Sequence, residues 1–227
     1  MEKSIRPLRI YFAGDLFDSK DLGGNLMLAD AIDRVSAGRY VVQLPQNGEC
    51  EVKERSSQSI RDADFELLFN CDVIVANFDG TDLDSGTVVE FCFAKMLDMP
   101  AVLLRTDFRD GGDHTLPDNS PWNLMCSHYP RTENLHLNGM VLYHRCRVQT
   151  IETADLLTNY YNSIAGEIVQ ALDRVVAAEP WLEEHRLMEQ YKSTVRSIGE
   201  TLCKVLPKAK LREIINAKLE AGIYKKG

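Results

Sequence analysis

Glu90 lies inside the apolar run VVEFCFAKML, in a position where few glutamates are found. Asp84, a few residues earlier, is a natural N-cap for a helix that starts near Ser85, because its carboxylate can accept hydrogen bonds from unpaired backbone N–H groups. An apolar helix of this kind is normally buried. The side chains one helical turn from Glu90 include no basic residue: Gly86, Thr87, Phe93 and Ala94.

Two interpretations of Glu90 remain open at this point. The carboxylate either reaches solvent or a distant arginine, or it belongs to a site that binds something other than protein. Gly86 and Thr87 are small and leave space beside it. The strand-like segment CDVIVANF and the acidic turn DGTDLDSG precede this helix. A buried acid in that setting favours a functional site.

Asp64 is a second acid in an apolar setting. It lies in the segment SSQSIRDADFELLFN, which predicts a helix, whereas Asp62 and Glu66 are expected to point elsewhere. The other members of its stripe are apolar: Ile60, Leu67, Leu68 and, one turn further on, Cys71. Asp64, Asp84 and Glu90 could converge near one strand end. Neighbouring carboxylates shift each other's pKa values apart, which can provide one ionised nucleophile or base and one proton donor.

Strands and helices alternate along the first part of the chain. Strands are predicted for LRIYFAG, RYVVQLP, DVIVANF and AVLLRT, with LHLNGMVLY as a last one. Helices are predicted for NLMLADAIDRVSAG, SSQSIRDADFELLFN and the Glu90 segment, and a turn for DLFDSKDLGG. This order indicates an α/β fold, a flavodoxin- or Rossmann-like doubly wound parallel sheet. Ligands of such sheets bind at the carboxyl ends of the strands, which places AGDLFD, LPQNGE and FDGTDLDSG on one rim.

The last third of the sequence predicts helices only. A long loop rich in Gly, Pro, Asp and Asn, residues 106–130, precedes it. Pro180 and Pro207 are expected to open the last two helices. The sequence therefore predicts an α/β domain over residues 1–145 and an α-helical extension over residues 146–227.

Composition limits the classes of partner. A formal net charge of −8 argues against a general binder of nucleic acid or anionic membranes and favours small molecules. No stretch has the length of a membrane span, and the first residues lack the features of a signal peptide. The six cysteines are scattered, and the histidines show no metal-ligand spacing. A cytoplasmic protein without a metal site is expected.

Several motifs together resemble those of the nucleoside 2-deoxyribosyltransferases. IYFAGDLF, LPQN, DADFELLFNCDVIVANFDG, DSGTVVE and PWNLM occur in the order and at the approximate spacing of that family, over roughly the first 130 residues. The resemblance implies an α/β catalytic domain over residues 1–145. It provides no counterpart for the helical extension.

The resemblance also implies roles for individual residues. Glu90 matches the catalytic nucleophile, Asp64 the acid implicated in proton transfer to the base, and Tyr11 the tyrosine near the nucleophile. Asp84 matches the acid that holds the sugar hydroxyls, and Gln46 matches a base-contacting side chain. Three further residues match substrate-binding positions: Gly14 in AGDLF, and Asn123 and Met125, which a neighbouring subunit contributes.

The activity that this resemblance implies is transfer of a 2-deoxyribosyl group between purine or pyrimidine bases through a covalent glycosyl-Glu intermediate, with net retention. The reaction needs no metal or organic cofactor. The implied partners are a deoxynucleoside, a free nucleobase and further copies of this chain, in a homodimer or higher homo-oligomer with shared active sites. Two alternatives stay open: a nucleoside or nucleotide N-glycosidase that uses water as acceptor, and a non-catalytic nucleoside-sensing or scaffold protein.

Overall fold

A single parallel sheet forms the centre of the protein. The computed structural model describes residues 6–48, 55–109 and 120–225. Within these residues the strand order is β2-β1-β3-β4-β5. The strands are β1 Leu8–Ala13, β2 Tyr40–Gln43, β3 Val73–Asn77, β4 Ala101–Arg105 and β5 Thr132–His136. Strand order reverses between β1 and β3, so a crevice is expected at their carboxyl ends.

Helices cover both faces of the sheet, as right-handed crossovers require. Helix α6 packs against α1, β4 and β5, whereas α3 and α4 pack against each other and against β1. The described helices are α1 Ser19–Val35, α2 Pro45–Gly48, α3 Ser57–Asn70, α4 Ser85–Met96, α5 Gly139–Gln149, α6 Thr153–Ala177, α7 Leu187–Ile198, α8 Glu200–Val205 and α9 Lys208–Glu220, with 3-10 turns at Leu124–Cys126 and Glu184–Arg186. The α/β doubly wound fold expected from the sequence is confirmed.

The two helices that carry the predicted acids begin where the sequence places them. Ser56 caps α3 in a reciprocal capping box with Ser59. Asp84 caps α4 by accepting a hydrogen bond from the Thr87 backbone N–H. Local capping chemistry therefore fixes the starting points of both helices.

Helix α1 begins earlier than expected, and the prediction of a turn over DLFDSKDLGG is wrong for most of that segment. Asp18 caps the helix by accepting hydrogen bonds from the backbone N–H groups of Lys20 and Asp21. Gly24 lies inside the helix, where an added Cβ would be only 3.4 Å from the Tyr161 hydroxyl of α6. The glycines that suggest a turn in the sequence instead allow α1 and α6 to approach each other closely.

The second half of the predicted last strand, LHLNGMVLY, is helical. Strand β5 ends at His136, and Asn138 caps α5 by accepting a hydrogen bond from the Val141 backbone N–H. An added Cβ at Gly139 would lie 3.0 Å from the Thr106 carbonyl oxygen. The Asn-Gly pair thus ends the strand and starts a helix packed tightly on the preceding loop.

The C-terminal helices extend the hydrophobic core. Pro207 directly precedes α9, as expected, but α7 begins only at Leu187, after the 3-10 turn that follows Pro180. Gly199, with φ of 145°, separates α7 from α8. Buried apolar residues form one cluster from Ile10 to Tyr224, which crosses the predicted boundary at residue 145, and that boundary stays a prediction. None of the described helices has the length and apolar character needed to cross a membrane.

Candidate active site

Glu90 has a partner on the central strand. Tyr11, fully buried on β1, donates a hydrogen bond of 2.5 Å from its hydroxyl to Glu90 Oε1. Strand β1 thus brings a donor to a glutamate that has no basic neighbour on its own helix. The pair lies on the face of the sheet that α4 covers, close to the point where strand order reverses.

The surroundings of this pair raise the pKa of Glu90 to about 7. Burial is the largest cause, and the nearby charges of Asp64 and Asp84 act in the same direction, whereas the hydrogen bond from Tyr11 lowers the pKa. The pKa of Tyr11 is raised well above its usual value by burial and by the charge of Glu90. Tyr11 therefore stays protonated as a donor, while Glu90 changes charge near neutral pH.

A cleft of about 360 Å³ opens between α3 and α4. Asp64 lies on the α3 wall and Glu90 on the α4 wall. The other lining residues are Ser57, Ile60, Arg61, Phe65, Gly86 and Val89. The structure therefore brings together Tyr11, Asp64 and Glu90, the three residues for which the sequence predicts catalytic roles. Two carboxylates in a partly apolar cleft can supply a nucleophile and a proton donor.

Asp84 caps helix α4 and also lies near the cleft. Its Oδ2 accepts hydrogen bonds from the Thr87 backbone N–H at 2.7 Å and the Thr87 hydroxyl at 2.9 Å. The other oxygen, Oδ1, takes no part in these two bonds. Asp84 is close enough to contribute to the raised pKa of Glu90, so it lies on the same rim.

Gln46 and Gly14 lie on the rim but are absent from the lining of the Glu90 cleft. Gln46 belongs to α2, where its amide donates to the Leu22 carbonyl and accepts a long hydrogen bond of 3.4 Å from Asn25. Gly14 follows β1, and an added Cβ there would lie 3.2 Å from the Cβ of Asn77. Both residues have structural contacts, and their roles in substrate binding stay predictions.

Asn123 and Met125 lie at a second cleft, of about 500 Å³. Asn123 opens the 3-10 turn by accepting a hydrogen bond of 3.0 Å from the Met125 backbone N–H, and the Met125 side chain is 70% exposed. This cleft shares no lining residue with the Glu90 cleft. Within one chain, therefore, the two residues are not brought to Glu90.

Asp62, which is expected to lie outside the stripe of Asp64, is buried. The residue is 3% exposed, and its carboxylate accepts two hydrogen bonds from the guanidinium of Arg61. Arg61 lines the Glu90 cleft and is not among the candidate residues named from the sequence. Its position three residues before Asp64, on the same side of one helix, is the signal that could have found it.

No metal centre is found among the described residues. They contain no group of three or more His, Cys, Asp or Glu side chains arranged to hold an ion.

Comparisons with known proteins identify the family of this chain. A sequence model described as nucleoside 2-deoxyribosyltransferase matches residues 10–125, which is more than half of the 227-residue chain. The chain belongs to this family. The matched segment contains all eight of the residues for which the sequence predicts site roles, from Tyr11 to Met125. No curated protein sequence matches this nucleoside 2-deoxyribosyltransferase family member significantly.

Three solved structures are similar to this family member. A conserved protein from Enterococcus faecalis V583 shares 22% identity, with 74% of this chain and 98% of the other covered and a TM-score of 0.46. A 2-desoxiribosyltransferase from Leishmania mexicana shares 21% identity over 54% and 87% of the two chains, with a TM-score of 0.42. A 2-deoxyribosyltransferase from Bacillus psychrosaccharolyticus shares 18% identity over 65% and 95%, with a TM-score of 0.43.

Proposed function

We propose that the protein transfers a 2-deoxyribosyl group from a deoxynucleoside to a free purine or pyrimidine base. The observation that carries this proposal is the hydrogen bond from the buried Tyr11 of β1 to the half-buried Glu90, which shares a cleft with Asp64. Family membership supports the same reaction class. Cleavage of an N-glycosidic bond builds positive charge at C1′ of the sugar, and an adjacent carboxylate stabilises that charge or traps the carbon covalently.

The first half-reaction uses Glu90 as nucleophile. Its carboxylate oxygen forms a bond to C1′ as the bond from C1′ to the base nitrogen breaks, and the electron pair of that bond stays on the base. Asp64 donates a proton to the departing base, which becomes more basic as it leaves. Tyr11 holds the ionised form of Glu90 through its hydrogen bond. The products of this step are a free base and a deoxyribosyl ester of Glu90.

The second half-reaction reverses the roles. An entering base attacks C1′ from the side that the first base left, the ester bond breaks, and the electron pair returns to the carboxylate of Glu90. The proton of the entering base passes to Asp64, which restores the starting state. Two inversions at C1′ give net retention. One acid and one nucleophile therefore serve both directions of the exchange.

The sugar is held at the rim of the cleft. Asp84 Oδ1, which remains outside the bonds to Thr87, is proposed to accept hydrogen bonds from the sugar hydroxyls. A carboxylate in this position repels a 5′-phosphate, which favours unphosphorylated nucleosides. Gln46 and Gly14 are proposed to complete the binding of base and sugar on the β1 and α2 side.

A second subunit is proposed to complete each site. Asn123 and Met125 belong to a cleft separate from that of Glu90, and the exposed Met125 side chain is suited to an interface. In a homodimer with shared sites, Asn123 would bond the sugar hydroxyl near Asp84 of the other subunit, and Met125 would line its cleft. The smallest active species is then a dimer.

One incubation tests the function. Deoxyinosine is mixed with the protein with and without isotopically labelled adenine, and bases and nucleosides are followed by chromatography. Transfer yields labelled deoxyadenosine only when adenine is present, and Glu90→Ala abolishes it. Release of hypoxanthine at the same rate with and without adenine identifies a hydrolase. No turnover of any base identifies a binding protein.

A further inference from the structure

Arg61 is the cation in the cleft that the proposed mechanism does not use. It lies on the α3 wall, three residues before Asp64, and both side chains line the cleft that contains Glu90. Its guanidinium donates to Asp62 Oδ1 through Nε at 3.0 Å and through Nη2 at 2.6 Å. The Nη1 group takes no part in this pair. It has N–H groups to donate and cannot accept a hydrogen bond.

The Arg61 side chain is 43% exposed, and its guanidinium has neighbours on two sides. Asp62 is buried, so its carboxylate holds the planar guanidinium from the protein interior. On the other side lies the junction of α7 and α8, where an added Cβ at Gly199 would be 3.7 Å from Arg61 Nη2. A hydrogen bond of 3.1 Å from Gln58 to Thr201 holds α8 against the start of α3. The C-terminal helices therefore form part of the support of this arginine.

We infer that Arg61 is a specificity-determining residue that selects bases with a carbonyl acceptor beside the nitrogen that Asp64 protonates, which are the 6-oxopurines. The inference rests on the proposed function. The Hoogsteen edge of a 6-oxopurine carries two adjacent acceptors, O6 and N7, and arginine is the side chain that commonly pairs with this edge. Asp64 donates to N7 and Arg61 Nη1 to O6, from positions one turn apart on α3.

Adenine presents the opposite pattern at the same place. Its 6-amino group is a donor, and it would face the donor-only Nη1 group of Arg61. The Arg61 side chain is 43% exposed in the structure, and a base bound in the cleft would cover its Nη1 group. A donor that is covered without an acceptor loses its hydrogen bonds to water, which weakens the binding of adenine. Deoxyinosine is therefore expected to bind more tightly than deoxyadenosine, by a factor on the order of tenfold to a hundredfold.

The test measures binding and turnover separately. Dissociation constants for deoxyinosine and deoxyadenosine are determined by calorimetry in the Glu90→Gln background, where no glycosidic bond is broken. The ratio of these two constants is measured again after adding Arg61→Met, which keeps the aliphatic stem and removes the donors. Arg196→Met is the matched control. Arg196 is an exposed arginine of α7 that does not line the cleft. Exchange of labelled hypoxanthine and adenine is followed in parallel with Glu90 intact.

The inference predicts that Arg61→Met brings the ratio of the two dissociation constants close to one, by weakening the binding of deoxyinosine and tightening that of deoxyadenosine, and that Arg196→Met leaves the ratio unchanged. If Arg61→Met leaves the ratio unchanged, for example because both nucleosides lose affinity equally, the inference is wrong. If deoxyinosine 5′-monophosphate binds more tightly than deoxyinosine and Arg61→Met removes this difference, the inference is also wrong, and the arginine binds the phosphate. Absence of base exchange with the predicted binding ratio rejects the proposed function and leaves the inference supported.

Discussion

The carboxylate of Glu90 is held where ionisation is costly. Its pKa of about 7 in the folded protein compares with a usual value of 4.5. A raised pKa means that the folded state binds the proton more tightly than the unfolded state, so stability is lost as pH rises from about 4.5 through 7. The ionised form of the proposed nucleophile therefore lowers the stability of the fold.

Replacing Glu90 by Gln should therefore stabilise the protein at alkaline pH while abolishing transfer. The free energy of unfolding of Glu90→Gln relative to the unaltered protein should rise by about 2–3 kcal/mol between pH 5 and pH 8. Urea unfolding at the two pH values measures this difference. An identical stability difference at both pH values would contradict the buried, proton-binding carboxylate.

Tyr11 controls the same ionisation from β1. Because its hydrogen bond lowers the pKa of Glu90, Tyr11→Phe should raise that pKa and move the acid limb of kcat/KM to higher pH. A hydrogen bond to a charged group corresponds to a shift of about 1–2 pH units. Profiles of kcat/KM against pH for both proteins provide the measurement. A lower maximum with an unmoved acid limb would show that Tyr11 acts only through packing.

Two features of the site could not be read from the sequence because they depend on contacts between particular side chains. Helical spacing correctly set Glu90 apart from any basic neighbour, but it could not show that Tyr11 reaches it from β1. Periodicity also placed Asp62 outside the stripe of Asp64, which does not indicate whether Asp62 is buried. Its carboxylate pairs with the guanidinium of the adjacent Arg61, and a hydrophobic pattern does not report such a pair.

At the level of the elements, Asp84 has one structural and one proposed binding role that substitution can separate. Asp84→Ala removes the cap of α4 and should cost about 1 kcal/mol of stability. Asp84→Asn and Asp84→Ser keep a capping oxygen, so their stability should change much less, while KM for the deoxynucleoside should rise in all three variants because each removes the charged acceptor. Thermal unfolding and steady-state kinetics on the three variants test this. Unchanged kinetics in Asp84→Ser would remove Asp84 from sugar binding.

Elements with clear local signals were predicted well. Helix α4 begins next to its predicted cap Asp84, helix α3 begins within the segment predicted for it, and the buried strand β3 is rich in β-branched residues. The errors fall on segments where glycine has a tertiary role. Gly24 allows α1 to approach α6, and Gly139 follows the cap of α5 and packs on the Thr106 carbonyl. In the sequence alone these glycines indicate a turn, because the residues that they pack against lie far away along the chain.

Across the whole molecule, the C-terminal helices support the helix that carries Asp64. Lys210 of α9 pairs with Glu66 of α3, and the buried Lys218 donates to the Cys71 carbonyl directly after α3. Helices α8 and α3 also pack together. The extension therefore has a structural connection to the α3 wall of the cleft, which the family resemblance does not include.

The proposed sharing of sites between subunits predicts complementation. Glu90→Ala and Asn123→Ala should each be inactive alone. Mixed under conditions of subunit exchange, they form dimers in which one site carries both lesions and the other carries neither, so part of the base exchange should return. Exchange is verified by differential isotope labelling and native mass spectrometry. Verified mixed dimers without activity, or a fully active isolated monomer, would contradict a shared site.

The most direct test of the account is to identify the residue that becomes covalently attached to the sugar. The protein is incubated with a 2-fluoro analogue of its deoxynucleoside, which slows turnover of the intermediate, and the intact mass and peptide masses are measured after rapid denaturation. We predict an adduct of one sugar per chain, on the peptide that contains DSGTVVEF, with fragmentation that places it on Glu90. Base release without an adduct, or an adduct on any other residue, would contradict a covalent mechanism through Glu90.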